Sequence, residues 1–488
     1  MRMAGETMKP NILWICTDQQ RTDTLGCYGN PYVHTPHIDQ LAASGVRFER
    51  AYCQSPVCTP SRASFLTGRY PRTTRCRQNG QKLPLEEKLV TRLFADDGYV
   101  CGLAGKLHLA PCAPDVCPGS EERGDDGYHV FRWSPATGGK HDWTLNEHSQ
   151  WLNERGKELR REPIPGSRQV YYGEDEEDRQ ASWCVEEAIH FIRSNARRGN
   201  RWLFSVNMFD PHHPFDPPKR LMDKYMSMLD DIPFPKYTPG ELDSKPVYQR
   251  MDSAKAYNSN ELFNWNGMTE LEHKLVCASQ WAIVEHVDEQ VGRLMEALEE
   301  CGQLADTLVI FMSDHGEMMG DHGIYWKGPY FYEPLIRVPL LLSWPGVIPT
   351  GVSSKALIEL VDLAPTLLEA AGLPAGEGMQ GRSFWPLLSG RGASDTHRDN
   401  VYCEYYNAQP WHPDCPPQCT MVFDGRHKLV RVHSTCEGEL YDLLTDPDET
   451  NNLYDDDAHL RAKMRMHEML SDRMAWTVDP LPARLAPF

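Results

Sequence analysis

Short apolar runs that stop abruptly at polar clusters recur along this chain. Asn11–Thr17 (NILWICT) runs into Asp18-Gln19-Gln20, residues 202–208 (WLFSVNM) into FDPHHPF, and residues 307–312 (TLVIFM) into SDHGE. Each run is short and apolar at nearly every position, as a strand buried on both faces reads. Such a sheet needs helices on both sides, and the intervening sequence supplies them. Residues 38–44 precede Gly45 and residues 85–97 precede Gly98, so each reads as a helix stopped by glycine. Tyr99–Ala104 reads as a further strand. Thr269-Glu-Leu-Glu272 is a capping box. It opens a helix whose apolar stripe runs through Leu271, Leu275, Ala278, Ala282, Val287, Val291, Leu294 and Leu298 to a stop near Gly302. Strands alternating with helices specify an α/β fold with a mostly parallel central sheet flanked by helices. Ligands bind such sheets outside the carboxyl ends of the strands, where the polar clusters fall.

The alternation fades near residue 375. Beyond it, residues 401–406, 420–423, 427–432 and 440–443 are short β-like pieces, and 456–474 reads as a terminal helix. The expected division is a catalytic α/β domain over 1–375 and a small C-terminal subdomain over 376–488 with an antiparallel sheet. Residues 110–180 and 214–268 show no clean period and read as loop excursions. Trp143, Trp265 and His141 lie in them, and packing explains them better than a pocket does.

The formal charge of −19 argues against nucleic acid and anionic membrane surfaces as partners. An anionic substrate would therefore need a pocket that is basic against the global field. The apolar run at residues 12–16 is shorter than a secretory h-region, and no stretch approaches the roughly 20 apolar residues of a membrane span. The expectation is a cytoplasmic protein with reduced thiols among its 15 cysteines. Cys16, Cys101 and Cys277 read as small buried hydrophobes. Cys415 and Cys419 flank a Pro-rich loop rather than make a metal or disulfide pair.

Asp18-Gln19, His212 and Asp314-His315 end three of the predicted strands. Taken singly, each Asp is better explained as a helix cap. Together, two carboxylates, an amide oxygen and an imidazole suit Ca²⁺, Mg²⁺ or Mn²⁺ over zinc. The segment Cys58-Thr-Pro-Ser-Arg62, followed by Leu66-Thr-Gly-Arg69, resembles the signature of type I sulfatases in the alkaline phosphatase superfamily. Companion segments occur in family order: TDQQR (17–21), GKLHL (105–109), DPHHPF (210–215), SDHGE (313–317) with Lys327 beyond it, and ELYDLLTDPDETNNL (439–453).

This resemblance implies that a maturation enzyme oxidises Cys58 to formylglycine. It implies one divalent cation, Ca²⁺ first, held by Asp18, Gln19, Asp314, His315 and modified Cys58. The implied substrate is a small anionic sulfate ester. The implied reaction is attack on sulfur by one hydroxyl of the hydrated aldehyde, giving a covalent sulfo-enzyme intermediate. The second hydroxyl then loses its proton, the aldehyde re-forms and sulfate leaves, a release that serine could not achieve. Arg62 and Lys106 would hold diol and sulfate oxygens, and His108 would take the proton on release. His212 and Lys327 would meet the leaving oxygen, one of them as general acid. His213 is the lesser candidate beside His212. Asn79 would touch substrate, although a Gln-Asn-Gly turn explains it equally well.

Two positions depart from the commonest family pattern. Gln19 stands where many sulfatases carry Asp, and His315 where many carry Asn. Both variants resemble the phosphonate monoester hydrolase branch, whereas Lys106-x-His108 resembles a sulfatase proper. A phosphonate monoester or phosphodiester hydrolase using the same nucleophile is the alternative. The sequence leaves the natural substrate and any homo-oligomer open.

Overall fold

A computed structural model describes residues 9–482 except 114, 118, 137–145, 393 and 394. Trp143 and His141 lie outside the described residues.

The main sheet contains β1 (Asn11–Thr17), β2 (Val46–Tyr52), β3 (Val100–Gly105), β4 (Val130–Trp133), β5 (Trp202–Asn207), β6 (Thr307–Ser313), β7 (Arg337–Val338), β8 (Leu340–Ser343) and β9 (Val352–Glu359). Its order is β9-β2-β8-β6-β1-β5-β3-β4, with β7 also paired to β2. The run β6-β1-β5-β3-β4 is parallel throughout, and β8 enters antiparallel to both β6 and β2. All seven residues of β1 and of β6 are buried. Their side chains alternate between faces: Ile12, Trp14 and Cys16 enter one core, while Leu13 and Ile15 enter the other.

The first core is capped by α2 (Cys58–Thr67), α3 (Val90–Asp96) and α6 (Leu363–Ala370). The second is capped by α1 (Pro36–Ala43), α4 (Gln180–Arg198) and α5 (Glu270–Glu300). The capping box at Thr269 and Glu272 is formed. Leu275, Ala278, Ala282, Val287, Val291, Leu294 and Leu298 are buried, whereas Leu271 is 43% exposed and lies off the stripe. The helix expected over 85–97 begins only at Val90, because residues 84–88 form a polar turn before it.

β10 (Val401–Tyr406), β11 (Gln418–Phe423), β12 (His427–Val432) and β13 (Gly438–Asp442) form an antiparallel four-stranded sheet in sequence order. One face, through Cys403, Met421 and Val430, joins the first core, while Tyr402, Val422 and Leu429 pack under α7 (Leu460–Trp476) with Met466 and Leu470. Trp265 is a core residue, 7% exposed among Phe234, Tyr237 and His273. Cys415 and Cys419 are free thiols. No described helix is long and apolar enough to cross a membrane.

Candidate active site

Strands β6, β1, β5 and β3 are adjacent and parallel, so the segments leaving their carboxyl ends converge. Asp314 and His315 follow β6, Asp18 and Gln19 follow β1, His212 follows β5 by five residues, and Lys106 and His108 follow β3. Gly105 must be glycine: it sits at φ +107°, and a Cβ there would meet the Asn207 carbonyl oxygen at 1.9 Å. Cys58 is the first residue of α2, with Arg62 one turn on. Three non-glycine residues at the site hold positive φ, Gln19 (65°), His108 (59°) and Trp326 (68°). Strain of this kind clusters at functional sites.

Cys58 is the centre. Its Sγ lies 3.0 Å from Lys327 Nζ, 3.1 Å from His315 Nε2 and 3.6 Å from Asp18 Oδ1. Arg62 Nε donates to Asp314 Oδ2 at 2.8 Å and Nη1 to the Lys106 carbonyl at 2.8 Å. Arg62 Nη2 is buried without a hydrogen-bond partner, 3.7 Å from Asp18 Oδ2. Lys106 Nζ donates to Asp18 Oδ2. Lys327 Nζ also donates to Gln19 Oε1 (2.8 Å) and reaches His212 Nε2 (2.9 Å). Three cations thus face two carboxylates, so the site is basic inside an acidic protein. Asp18, Cys58, Arg62, Asp314 and His315 are at most 1% exposed, while His108, His212 and His213 are only partly buried. The three histidines mark the more exposed side of the site.

The donor set fits a cation. Ligand atoms of Asp18, Cys58, Asp314 and His315 lie within 4.8 Å of one another. The ligand atom that Cys58 offers to this set is its thiol Sγ. His315 Nδ1 donates to the Gly316 carbonyl at 2.9 Å, which leaves the Nε2 lone pair facing the cluster, the tautomer a metal ligand needs. Gln19 Nε2 donates to Glu317, and that bond turns Oε1 inward.

The charges act on one another through low dielectric. Burial and Asp18 push the Cys58 thiol up, but Lys106 and Lys327 outweigh them and hold it well below the ordinary thiol value. Burial also opposes ionisation of Asp18, yet the cations Lys106, Lys327 and Arg62 keep it well below the carboxylate range. Burial and then Lys327 push His212 far down, so its imidazole is neutral. Its Nδ1 then donates to the His213 carbonyl at 2.6 Å while Nε2 accepts from Lys327. Burial opposes the Lys327 charge, but Cys58 and Asp18 raise it and keep it an ammonium. Burial and Lys106 lower His108, whose buried Nδ1 has no hydrogen-bond partner.

Supporting residues lie outside the sequence motifs. Glu121 is 2% exposed and accepts from the backbone N–H of His108 (2.9 Å) and Leu109 (2.8 Å) and from Trp133 Nε1 (3.0 Å). It fixes the strained His108 turn. Arg179 pairs with Asp210 at 2.8 Å and donates to the Asp216 carbonyl at 2.5 Å, clamping both ends of the His212–His213 segment. Neither was marked by a short-range pattern, because each of these bonds spans at least twelve residues of chain. Asn79 Oδ1 accepts from the Thr59 N–H at 3.0 Å, so it braces the start of α2. His213 stacks on Trp326 at 4.3 Å and meets the His212 ring at 4.1 Å.

Residues 10–373 match the Sulfatase family. The chain belongs to the sulfatase family. Residues 320–475 also match the region described as N-sulphoglucosamine sulphohydrolase, C-terminal. An uncharacterized sulfatase of Escherichia coli is 30% identical over 97% of this chain and 88% of its own length. An arylsulfatase of Clostridium perfringens is 30% identical over 91% of this chain and 90% of its own. Among solved structures, the phosphonate monoester hydrolase of Agrobacterium radiobacter superposes with a TM-score of 0.82 at 25% identity, covering 98% of both chains. Membership in the sulfatase family makes this chain a sulfuric ester hydrolase.

Proposed function

We propose that this sulfatase hydrolyses sulfate monoesters with residue 58 as nucleophile, after a maturation enzyme has oxidised Cys58 to formylglycine. The observation that carries the reading is the enclosure of position 58 by Lys106, Lys327 and Arg62, with Arg62 Nη2 buried and free to donate. An unpaired buried guanidinium N–H is costly unless an anion oxygen takes it.

Asp18, Gln19, Asp314 and His315 would hold a divalent cation, Ca²⁺ first and Mg²⁺ or Mn²⁺ as alternatives. That cation would neutralise sulfate charge and polarise oxygen at position 58. Arg62 and Lys106 bind and orient the anion against residue 58. At 4 Å and an effective dielectric of 20, each favourable charge pair contributes about 4 kcal/mol. Lys327 holds a proton beside neutral His212, and this pair delivers it to the leaving oxygen. A sulfo-enzyme at residue 58 follows, and His108, neutral and partly exposed, takes the proton that expels sulfate.

One observation favours a second reading. Gln19 and His315, together with the likeness to a phosphonate monoester hydrolase, support phosphonate monoesters or phosphodiesters as substrates of the same nucleophile. Parallel kinetics on 4-nitrophenyl sulfate and 4-nitrophenyl phenylphosphonate test the choice. The sulfate reading expects the larger kcat/KM on the sulfate. A preference of about a hundredfold or more for the phosphonate, some 2.7 kcal/mol in the barrier, would reverse it.

A further inference from the structure

Beyond the sulfate-binding cations, the loop around Trp411 is tied to the nucleophile from two sides. On one side, Asn79 accepts from Thr59 N–H at 3.0 Å and donates its own N–H to the Ala408 carbonyl at 2.9 Å. Two hydrogen bonds therefore connect the residue after Cys58 to this loop. On the other side, His412 Nε2 lies 3.1 Å from Asp252 Oδ1. Tyr330 donates its hydroxyl to Asp252 Oδ2 at 3.1 Å and reaches the Lys327 carbonyl at 3.4 Å. Residues 408–412 are thus linked through polar bonds to the segments that carry Thr59 and Lys327.

The loop presents rings. Trp411 lies parallel to Tyr257, 5.8 Å away at 15°. Tyr257 tilts onto Trp326 at 4.7 Å, and Trp326 stacks on His213 at 4.3 Å and 16°. Tyr257 and Trp326 both hold positive φ, 56° and 68°. Trp326 is 6% exposed, whereas Trp411 is 38% exposed, so the ladder ends in an uncovered indole. Asn258 fixes the backbone beneath it, donating to the Trp411 carbonyl at 3.1 Å. Buried Gln409 Oε1 beside it has no hydrogen-bond partner. The site is therefore divided: cations surround position 58, and stacked rings carrying no Lys or Arg lead away past His213.

We propose that Trp411, backed by Tyr257, is the leaving-group subsite, and that the substrate is an ester whose leaving group is a neutral ring with a flat apolar face, aryl or pyranose. This rests on the sulfate ester reading above. Offset stacking of one ring contributes about 0.5–1.5 kcal/mol beyond area burial, whereas a short alkyl group would leave the indole uncovered.

The test compares matured wild type with Trp411→Ala and Trp411→Phe on 4-nitrophenyl sulfate, glucose 6-sulfate, choline sulfate and methyl sulfate. For at least one ring ester, Trp411→Ala should raise KM about five- to tenfold with kcat within about twofold, the size of one lost stack. Trp411→Phe should recover most of that loss, and methyl and choline sulfate should be unaffected. The ring ester that loses more identifies the ring. Equal losses on ring and methyl esters, no loss on either ring ester, or a loss confined to choline sulfate would overturn the subsite. If wild type cleaves no sulfate ester, the sulfate reading fails. The ring-to-methyl comparison then runs on matched phosphonate esters with the same criteria.

Discussion

Gln19 illustrates how one atom type reorganises this site. A carboxylate there would need no acceptor partner. The amide has one side that must donate, and Glu317 receives it while Lys327 donates to the other side. Burial raises Glu317, which is 2% exposed, so a second acid beside it would be disfavoured. Gln19→Glu should therefore lower kcat/KM at least about tenfold, the effect of breaking a partner behind a metal ligand, and adding Glu317→Gln should restore part of it. Steady-state kinetics on the two variants check this. Glu121 acts similarly from behind His108. Glu121→Gln keeps the shape but weakens the acceptor for two backbone N–H groups, so kcat should fall about tenfold with KM nearly unchanged. With His108 in its proposed role as the proton acceptor of the release step, sulfated enzyme should accumulate during turnover, visible by intact-protein mass spectrometry. An equal fall in kcat without accumulation would put Glu121 outside the release step.

The elements explain why much of this site was readable from sequence. Strands β1, β5 and β6 are buried on both faces, and such runs announce themselves by continuous apolarity ending in polar residues. The long helix α5 carries its capping box at Thr269, and Thr269→Ala should lower unfolding free energy by about 1 kcal/mol with unchanged kcat, measured by denaturant unfolding. Other elements were hidden for physical reasons. β2 reads VRFERAY, with charges along a strand whose partly buried positions tolerate them. Helix α4 has its apolar residues at Ala181, Cys184, Val185, Ala188, Ile189 and Ile192, a 3–4 spacing that the acidic run just before it obscures. The cationic and acidic motif residues were legible because the chemistry fixes their types. Glu121 and Arg179 were not, since a carboxylate or guanidinium that serves backbone groups carries no local pattern.

At the scale of the whole molecule, Asp362 joins the main sheet to the C-terminal region. Its carboxylate accepts from the backbone N–H of Arg382 (2.7 Å) and from Arg398 Nε (2.7 Å), and it lies 3.0 Å from His397 Nε2. Burial opposes its charge, but Arg398 and then His397 outweigh it and hold Asp362 below the usual carboxylate range. A depressed folded-state pKa adds stability that is fully present above the unfolded value, about 3.9, and is lost as pH falls through and below it. The unfolding temperature should therefore drop between pH 5 and pH 3, and Asp362→Asn should be less stable at pH 7 with a shallower acid dependence, both read by thermal melts. Removal of divalent cations should also abolish turnover and lower the melting temperature, and Ca²⁺, Mg²⁺ or Mn²⁺ should restore both.

The central claim is that residue 58 becomes the nucleophile by oxidation. The most direct measurement is the mass of the peptide spanning Cys58-Thr-Pro-Ser-Arg62, from protein made together with a formylglycine-generating enzyme and active on 4-nitrophenyl sulfate. The account predicts that the cysteine sulfur is gone and an aldehyde or its hydrate stands in its place, and that Cys58→Ala has lost turnover. An intact Cys58 thiol in fully active protein would contradict it.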